Sequence, residues 1–580
     1  MKYLARIAVV AGAVFALLAA TAADAARKPK DILQYIPEDT PYVMAFVKPF
    51  PDEMIDKMEP AIEETLAAYR SMMEFAMDEA AAEAAEQSDA EALSAEQRAQ
   101  FEALADELIA IFSAEGLESA GIGRDSLFAI YGDGLLPVMR LALTDGEKFA
   151  ATIARFEEKA EQKFDVADLG GVSYRYKDFD EKIRLIIATP GDDAVVTVVP
   201  IAYAEERLAQ TLGVKKPRKS LHRSKVLREI SKEYDFTDHL VSFFDVKRIA
   251  SSFLGDPSGL NAELLALAEY DASQLDETCR NEFMEMAGIA PRVVIGYTGV
   301  DEDRLDARMV VELREDIAGG LMTLPAAVPG LGPDLGGLFT FGFSLDPMAL
   351  RNFYEARLDA MEADPYECAA LAELQASTEK GRAALAQPIP PIAYSFRGIL
   401  ANVTDITGFD LATEKPPESI DGSILFAMEN AQDVVNMAAL MSPQIAALNL
   451  MPDGKAKLMD LPELAELGQQ VFAALGGNGL AMSVGDNADE NAEAMLTAKV
   501  TSPSPLMTFS MDAKRYYEFV GNAVMQADEA DEGEEPMPEE VKKAVRDIMT
   551  ASGSVYERMS TNVLLTKRGI EVDSSIKLVD

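Results

Sequence analysis

Five times along this chain of 580 residues a short strand pattern ends at a cap residue and runs at once into an amphipathic helix. Leu136 to Leu143 meets Thr144 and Asp145 before a helix through Phe156, and Leu240 to Phe244 meets Asp245 before Val246 to Leu254. Leu338 to Leu345 meets Asp346 and Pro347 before a helix through Met361. Ser423 to Met428 meets Asn430 before a helix through Met441, and Leu506 to Met511 meets Asp512 before a helix through Val524. In each unit a side-chain oxygen can accept from unpaired N–H groups of the first helical turn, and negative charge there complements the positive helix end. Pro347 sits where a missing N–H costs nothing.

Between these units, Leu127 to Tyr131, Pro137 to Leu143, Val172 to Tyr176, Ile183 to Ala188 and Ala194 to Val199 are separated by turn residues and predict an antiparallel meander. Two hairpins follow from Val293 to Tyr297 with Leu305 to Leu313, and from Val555 to Leu565 with Ile570 to Leu578. Leu338 to Leu345 sets three Phe against Thr, Gly and Ser, which predicts a packed Phe face and a smooth, mildly polar outer face. Near the N-terminus, Met58, Ile62, Leu66, Tyr69, Met73 and Met77 recur at helical spacing and resume at Phe101, Leu104, Leu108 and Ile111. This predicts a helical hairpin over about 52–116, its second helix opened by the capping box Ser94-Ala95-Glu96-Gln97.

The expected fold class is α+β: large antiparallel sheets with helices packed on one face, repeated strand-to-helix units and the N-terminal helical hairpin. A hydrophobic share of 49% supports several cores, and the punctuation places units at 26–257, 258–387 and 388–580. The Pro/Gly-rich run 324–337 reads as an internal connection.

Residues 1–25 carry an early positive charge, an apolar stretch from Ile7 to Ala20 and the small-residue junction Ala23-Asp24-Ala25, the signature of a cleaved signal peptide. No later apolar stretch approaches the roughly 18 residues of a membrane span, so a periplasmic chain without a transmembrane segment is expected. In an oxidising compartment Cys279 and Cys368 can pair, closing a loop of about 90 residues, or can remain two buried thiols within helical patterns.

The opening Ile32 to Val43, the segment Tyr131-Gly132-Asp133-Gly134-Leu135-Leu136-Pro137-Val138, and Arg515-Tyr516 after Asp512 resemble exported proteobacterial proteins of unknown function. That resemblance implies secretion and a tandem α+β build, and carries no activity or site residues.

Chemistry is narrowed by charge and by scarcity. With 98 acidic against 53 basic residues the net charge is −45, which repels nucleic acid. Two His, two Cys and no Trp leave few groups for acid–base, zinc or thiol chemistry. Gly330 to Gly336 misses the dinucleotide fingerprint and precedes a strand instead of following one, and no phosphate-loop, serine-hydrolase or zincin motif occurs. A hydrolase would need His222 or His239 beside a Ser and an acid. Asp301, Asp303 and Asp306, and Asp486 to Glu490, cluster oxygens without matching a calcium loop. One stretch reverses the charge: Lys215, Lys216, Arg218, Lys219, Arg223, Lys225 and Arg228. It reads as an anion or acidic-partner contact, or as a linker neutralising neighbouring acids. No cofactor is expected. The chain is expected to be a non-enzymatic binding or envelope-assembly protein whose partner is an envelope protein or polymer; the alternative is a periplasmic carrier of a lipid or other apolar ligand, for which 27 Met would supply adaptable lining.

Overall fold

A computed structural model describes residues 32–86, 95–111, 113–123, 126–179, 182–255, 260–268, 270, 275–408, 417–459, 468–527 and 538–580. The signal peptide, Ser94 of the capping box and the unit boundary at 257/258 lie outside the described residues.

The protein is α+β, and among the described residues its strands join in one antiparallel sheet of 19. In the N-terminal half, β1 (Tyr42–Phe46) leads to α1 (Asp52–Glu86), α2 (Ala95–Ile111) and α3 (Ala114–Ser119). The hairpin β2 (Phe128–Asp133) and β3 (Leu136–Ala142) feeds α4 (Gly146–Lys159), then β4 (Asp165–Leu169), β5 (Val172–Asp178), β6 (Ile183–Ala188) and β7 (Asp193–Pro200). After α5 (Glu205–Thr211) and α6 (Lys225–Tyr234) come β8 (Leu240–Asp245), α7 (Val246–Leu254), α8 (Leu260–Leu267), α9 (Glu277–Ala287), and the hairpin β9 (Arg292–Val300) and β10 (Arg304–Glu312).

The C-terminal half, entered through α10 (Glu315–Leu321), repeats this plan. β11 (Phe339–Ser344) leads to α11 (Pro347–Ala363), α12 (Ala372–Ala386) and α13 (Pro391–Ser395). The hairpin β12 (Phe396–Thr407) and β13 (Ser419–Met428) feeds α14 (Ala431–Met441) and α15 (Pro443–Leu448), then β14 (Ala456–Leu458), β15 (Val471–Gly476) and β16 (Gly479–Val484). After α16 (Ala488–Thr497) come β17 (Met507–Asp512), α17 (Ala513–Ala527), α18 (Glu539–Val555), and the hairpin β18 (Tyr556–Thr566) and β19 (Gly569–Leu578).

In space the strands run β14, β15, β16, β13, β12, β11, β17, β18, β19, β10, β9, β8, β1, β2, β3, β7, β6, β5, β4, every neighbour antiparallel. Read outward from the β10–β19 contact, the two halves follow one topology. Equivalent strands therefore meet antiparallel at the centre, which is the geometry of an approximate two-fold axis normal to the sheet. Arg308 and Asp573, each the fifth residue of its strand, face each other there, with Nε–Oδ1 at 2.6 Å and Nη2–Oδ2 at 2.9 Å. Like residues at that position would repel; Arg against Asp makes the two halves complementary.

The predicted caps form at Asp145, Asp245, Asp346 and Asp512, whose carboxylates accept from backbone N–H groups of the following turn. Asn430 works differently: with φ at 55° it turns the chain in the left-handed region, and its side chain makes no cap bond. The sheet also has one strand beyond the expected meander, β4, hidden in the sequence by the two acids of Asp165 to Leu169.

Most helices gather on the front face, the one that carries Phe46, Phe128, Phe341 and Phe509. The shorter α5, α6, α8 and α16 close the back face together with the segment 324–337. Helices also cross between halves. The start of α1 packs on α18, with Met54 and Ala61 against Ala551, Val555 and Leu578. At the equivalent place across the axis, the turn 369–371 before α12 reaches α9, and there Cys279 and Cys368 form a disulfide within a cluster of Leu371, Phe283 and Met286. Glu282 of α9 accepts from the backbone N–H groups of Glu367 and Cys368 at 2.7 and 3.0 Å.

Candidate binding surfaces

On β11 the expected packing is reversed. Thr340 and Ser344 are fully buried on the back face, whereas Phe341 on the front face is 41% exposed. Small side chains let a chain segment approach closely: a β-carbon at Gly342 would collide with Leu331, and Gly330, at φ 77°, turns 324–337 down onto Leu400. The hydroxyls beneath stay satisfied, since Thr340 donates to Asn402 Oδ1 at 2.8 Å and Ser344 to the Pro505 carbonyl at 2.6 Å. Thr508 bonds Asn562 at 2.7 Å, and Ser510 donates to Asp334 Oδ1 at 3.1 Å. The glycines of 330–336 thus serve backbone packing.

The displaced Phe face forms the first candidate surface. Phe341 lies in register with Ala401 on one side and Phe509 on the other, and the row continues through Ile424 and Met482. One flank is walled by α17, whose Tyr516 packs edge-on to Phe339 and Phe509 at 6.4 Å. The other is walled by α14 and α15, where Val435 and Ile445 cover Ala473 and Leu475. Between them the row is open. Helices α11, α13 and α14 leave from the same end of neighbouring strands and add bare apolar groups: Met348 43%, Tyr354 55%, Ile392 38%, Met437 42%, Leu440 89% and Met441 85% exposed. Exposed apolar groups at the end of an open apolar row make this a candidate interaction surface.

The second surface is basic. Lys215, Lys216, Arg218, Lys219, Arg223, Lys225 and Arg228 are all exposed, spread over the loop after α5, the turn 221–223 and the outer side of α6. Lys215 pairs with Glu206, and Lys216 reaches Gln34 Oε1 at 2.8 Å over the Tyr35 ring. Among the described residues, the other five make no ion pair. Beneath the patch Arg140 is buried, bonded to Asp193 at 3.0 Å and to the Thr211 carbonyl at 2.8 Å, with Tyr35 stacked on it at 4.0 Å. Segment 37–40 joins the patch to a cleft of about 370 Å³: Glu38 N–H bonds the Lys219 carbonyl, and Arg248 of the cleft wall donates to the Glu38 and Thr40 carbonyls. The cleft is lined by Asp245, Lys247, Arg248, Ser251, Pro291, Arg292 and Glu312, so its walls are charged, not apolar. Asp245 pairs with Arg248, and Glu312 with Arg292.

The remaining candidates for chemistry are placed in structural settings. His239 is 5% exposed, stacked on Phe50 and bonded to the Thr237 hydroxyl at 3.1 Å. Burial, with Lys48 adding to it, pushes its imidazole down to about 4 against the opposing pull of Asp238. His222 lies exposed in the turn 221–223 within the basic patch. Asp301 and Asp303 form the β9–β10 turn, where Asp306 pairs with Arg304, and Asp486 precedes α16. Among the described residues no group of three or more His, Cys, Asp or Glu is arranged to hold a metal ion, and no helix is long and apolar enough to cross a membrane.

Sequence reasoning found the basic patch and the cysteine pair but missed the open Phe row. Its signal was present in the Thr, Gly and Ser of β11, which are the residues a second layer of chain can approach closely. No protein-family model, curated protein or solved structure matches this chain.

Proposed function

We propose that this is an exported, non-enzymatic binding protein of the bacterial envelope, which holds an apolar segment of an envelope partner on the front face of its C-terminal half. The observation that carries this reading is Phe341, bare in the middle of a strand that has neighbours on both sides. An open row suits a partner segment laid across the sheet, whereas the cleft beside Arg248 and Arg292 has charged walls and does not suit a free lipid. The disulfide suits an oxidising compartment.

A photo-crosslinking residue at position 341, compared in the native host with one at position 44, tests the proposal. Met44 is the equivalent third residue of β1 and lies under helices. Crosslinks to an envelope protein from 341 and none from 44 are expected. A clean profile at 341, or extra mass in native mass spectrometry that extracts as lipid, would replace the reading with the carrier alternative.

A further inference from the structure

We propose that the unpaired cations of 215–228 dock the N-terminal half onto an anionic phospholipid surface. Arg218, Lys219, Arg223, Lys225 and Arg228 are exposed, and the run from Gly213 to Arg228 holds no acid. The acids nearest in sequence are Glu205 and Glu206 before it and Glu229 and Glu233 after it; Glu38 and Asp39 lie beside Lys219, Asp168 lies on the hairpin that touches Val214, and Glu206 is taken by Lys215.

The rest of the molecule does not cancel this local field. At physiological ionic strength charges are screened beyond about 8 Å, so a surface approaching the patch responds to the patch and not to the net −45. Such clusters are attracted to anionic headgroups, each cation contributing about fivefold in partitioning. The cations are mounted rigidly: the turn 221–223 is pinned by buried Leu221 and α6 by Leu227 and Ile230, all in the back-face core.

An apolar flank favours lipid over an acidic protein. Val214 precedes the first lysine and is 39% exposed, and Gly170 at the tip of the β4–β5 hairpin lies against it. Cations beside a bare apolar side chain match the boundary between headgroups and acyl chains. Docked in this way, the protein would turn its back face to the membrane and leave the open Phe row facing away from it, toward a partner.

The test is co-sedimentation of the purified protein, in the form its host accumulates, with phosphatidylcholine vesicles made with or without an equal share of phosphatidylglycerol. Binding to the anionic vesicles only, weakening steeply with added salt, is expected. Joint replacement of Arg218, Lys219, Arg223, Lys225 and Arg228 by Ala should reduce it at least about a hundredfold. Joint replacement of the exposed Lys163, Lys380, Lys499, Lys514 and Lys567 by Ala removes the same five charges elsewhere and should leave it within about threefold. Circular dichroism melts confirm that both variants fold. Equal binding by the patch variant and the wild type, or no binding to anionic vesicles at low salt, overturns the proposal. Salt-sensitive self-association lost in the patch variant, without vesicle binding, would instead assign the patch to an acidic surface of a second copy.

Discussion

The two halves share one topology and differ in how they treat the same surface. In the N-terminal half α1 and α2 lie down on the front face, with Leu66 against Met139 and Ile62, Leu108 and Ile109 filling in around Ile130 and Val196. In the C-terminal half the equivalent arm, α11 and α12, is held together by Arg382 with Asp359 and Glu362, and reaches across to α9. The same plan yields a filled core on one side of the axis and a bare row on the other. Binding capacity here follows from where a connecting arm docks, with the strand order left unchanged.

The arms are held by different means, and this gives the largest expected effect. Replacing Cys279 and Cys368 by Ser should lower stability by about 4 kcal/mol in the chain-entropy account, read by chemical denaturation. Hydrogen exchange should rise in 366–386 and stay unchanged in 52–66, because α1 is held on α18 by apolar packing. Equal loosening of both arms would break the comparison.

Charge at the axis comes next. Arg308→Asp sets three carboxylates together, with Asp573 and the buried Glu571, and should cost about 3 kcal/mol; adding Asp573→Arg should recover most of it. The recovery in the double variant tests whether opposite charges, in either orientation, are what the axis requires.

The filled core itself is probed by Leu66→Ala, expected to cost about 2–3 kcal/mol, whereas Phe341→Ala should cost less than about 1 kcal/mol and abolish partner capture. Similar losses at both positions would show that Phe341 is core.

Acid should separate the halves as well. The His239 imidazole is neutral in the folded chain down to about pH 4, while the unfolded chain takes up its proton near 6.5. Its contribution is therefore intact above pH 6.5 and is progressively lost as the pH falls toward 4. Both histidines lie in the N-terminal half, and His239 stacks on Phe50 at the root of α1, so that half should loosen first. In His239→Phe the pH dependence over this range should flatten.

What was legible in the sequence was local. Asp145, Asp245, Asp346 and Asp512 announce their helices because a cap involves only the next three residues. The hairpins at 301–303 and 567–568 were equally readable. The pairing of β10 with β19 was not, since Arg308 and Asp573 are 265 residues apart and nothing in either strand names its partner. The orientation of β11 was lost for the same reason. Alternation gives two faces, but what covers the Thr and Ser face is the loop 324–337, and burial under a loop leaves no periodic trace. The basic patch could be counted but not weighed: which cations find partners depends on Glu206 and Gln34, and Gln34 is brought there only by the N-terminal turn.

The meeting of β10 with β19 also orders the birth of the molecule in time. The partner of β10 is made from Gly569 to Leu578, which are synthesised only after the other strands of the C-terminal half. Until it emerges, the N-terminal half has a nine-residue edge whose backbone groups are open to any passing strand. A chain that stops before Gly569 would keep that edge permanently. Synthesis through β19 is thus the step that closes a template for aggregation, and a chaperone that shields β10 from other chains until β19 is made would act where the risk is greatest.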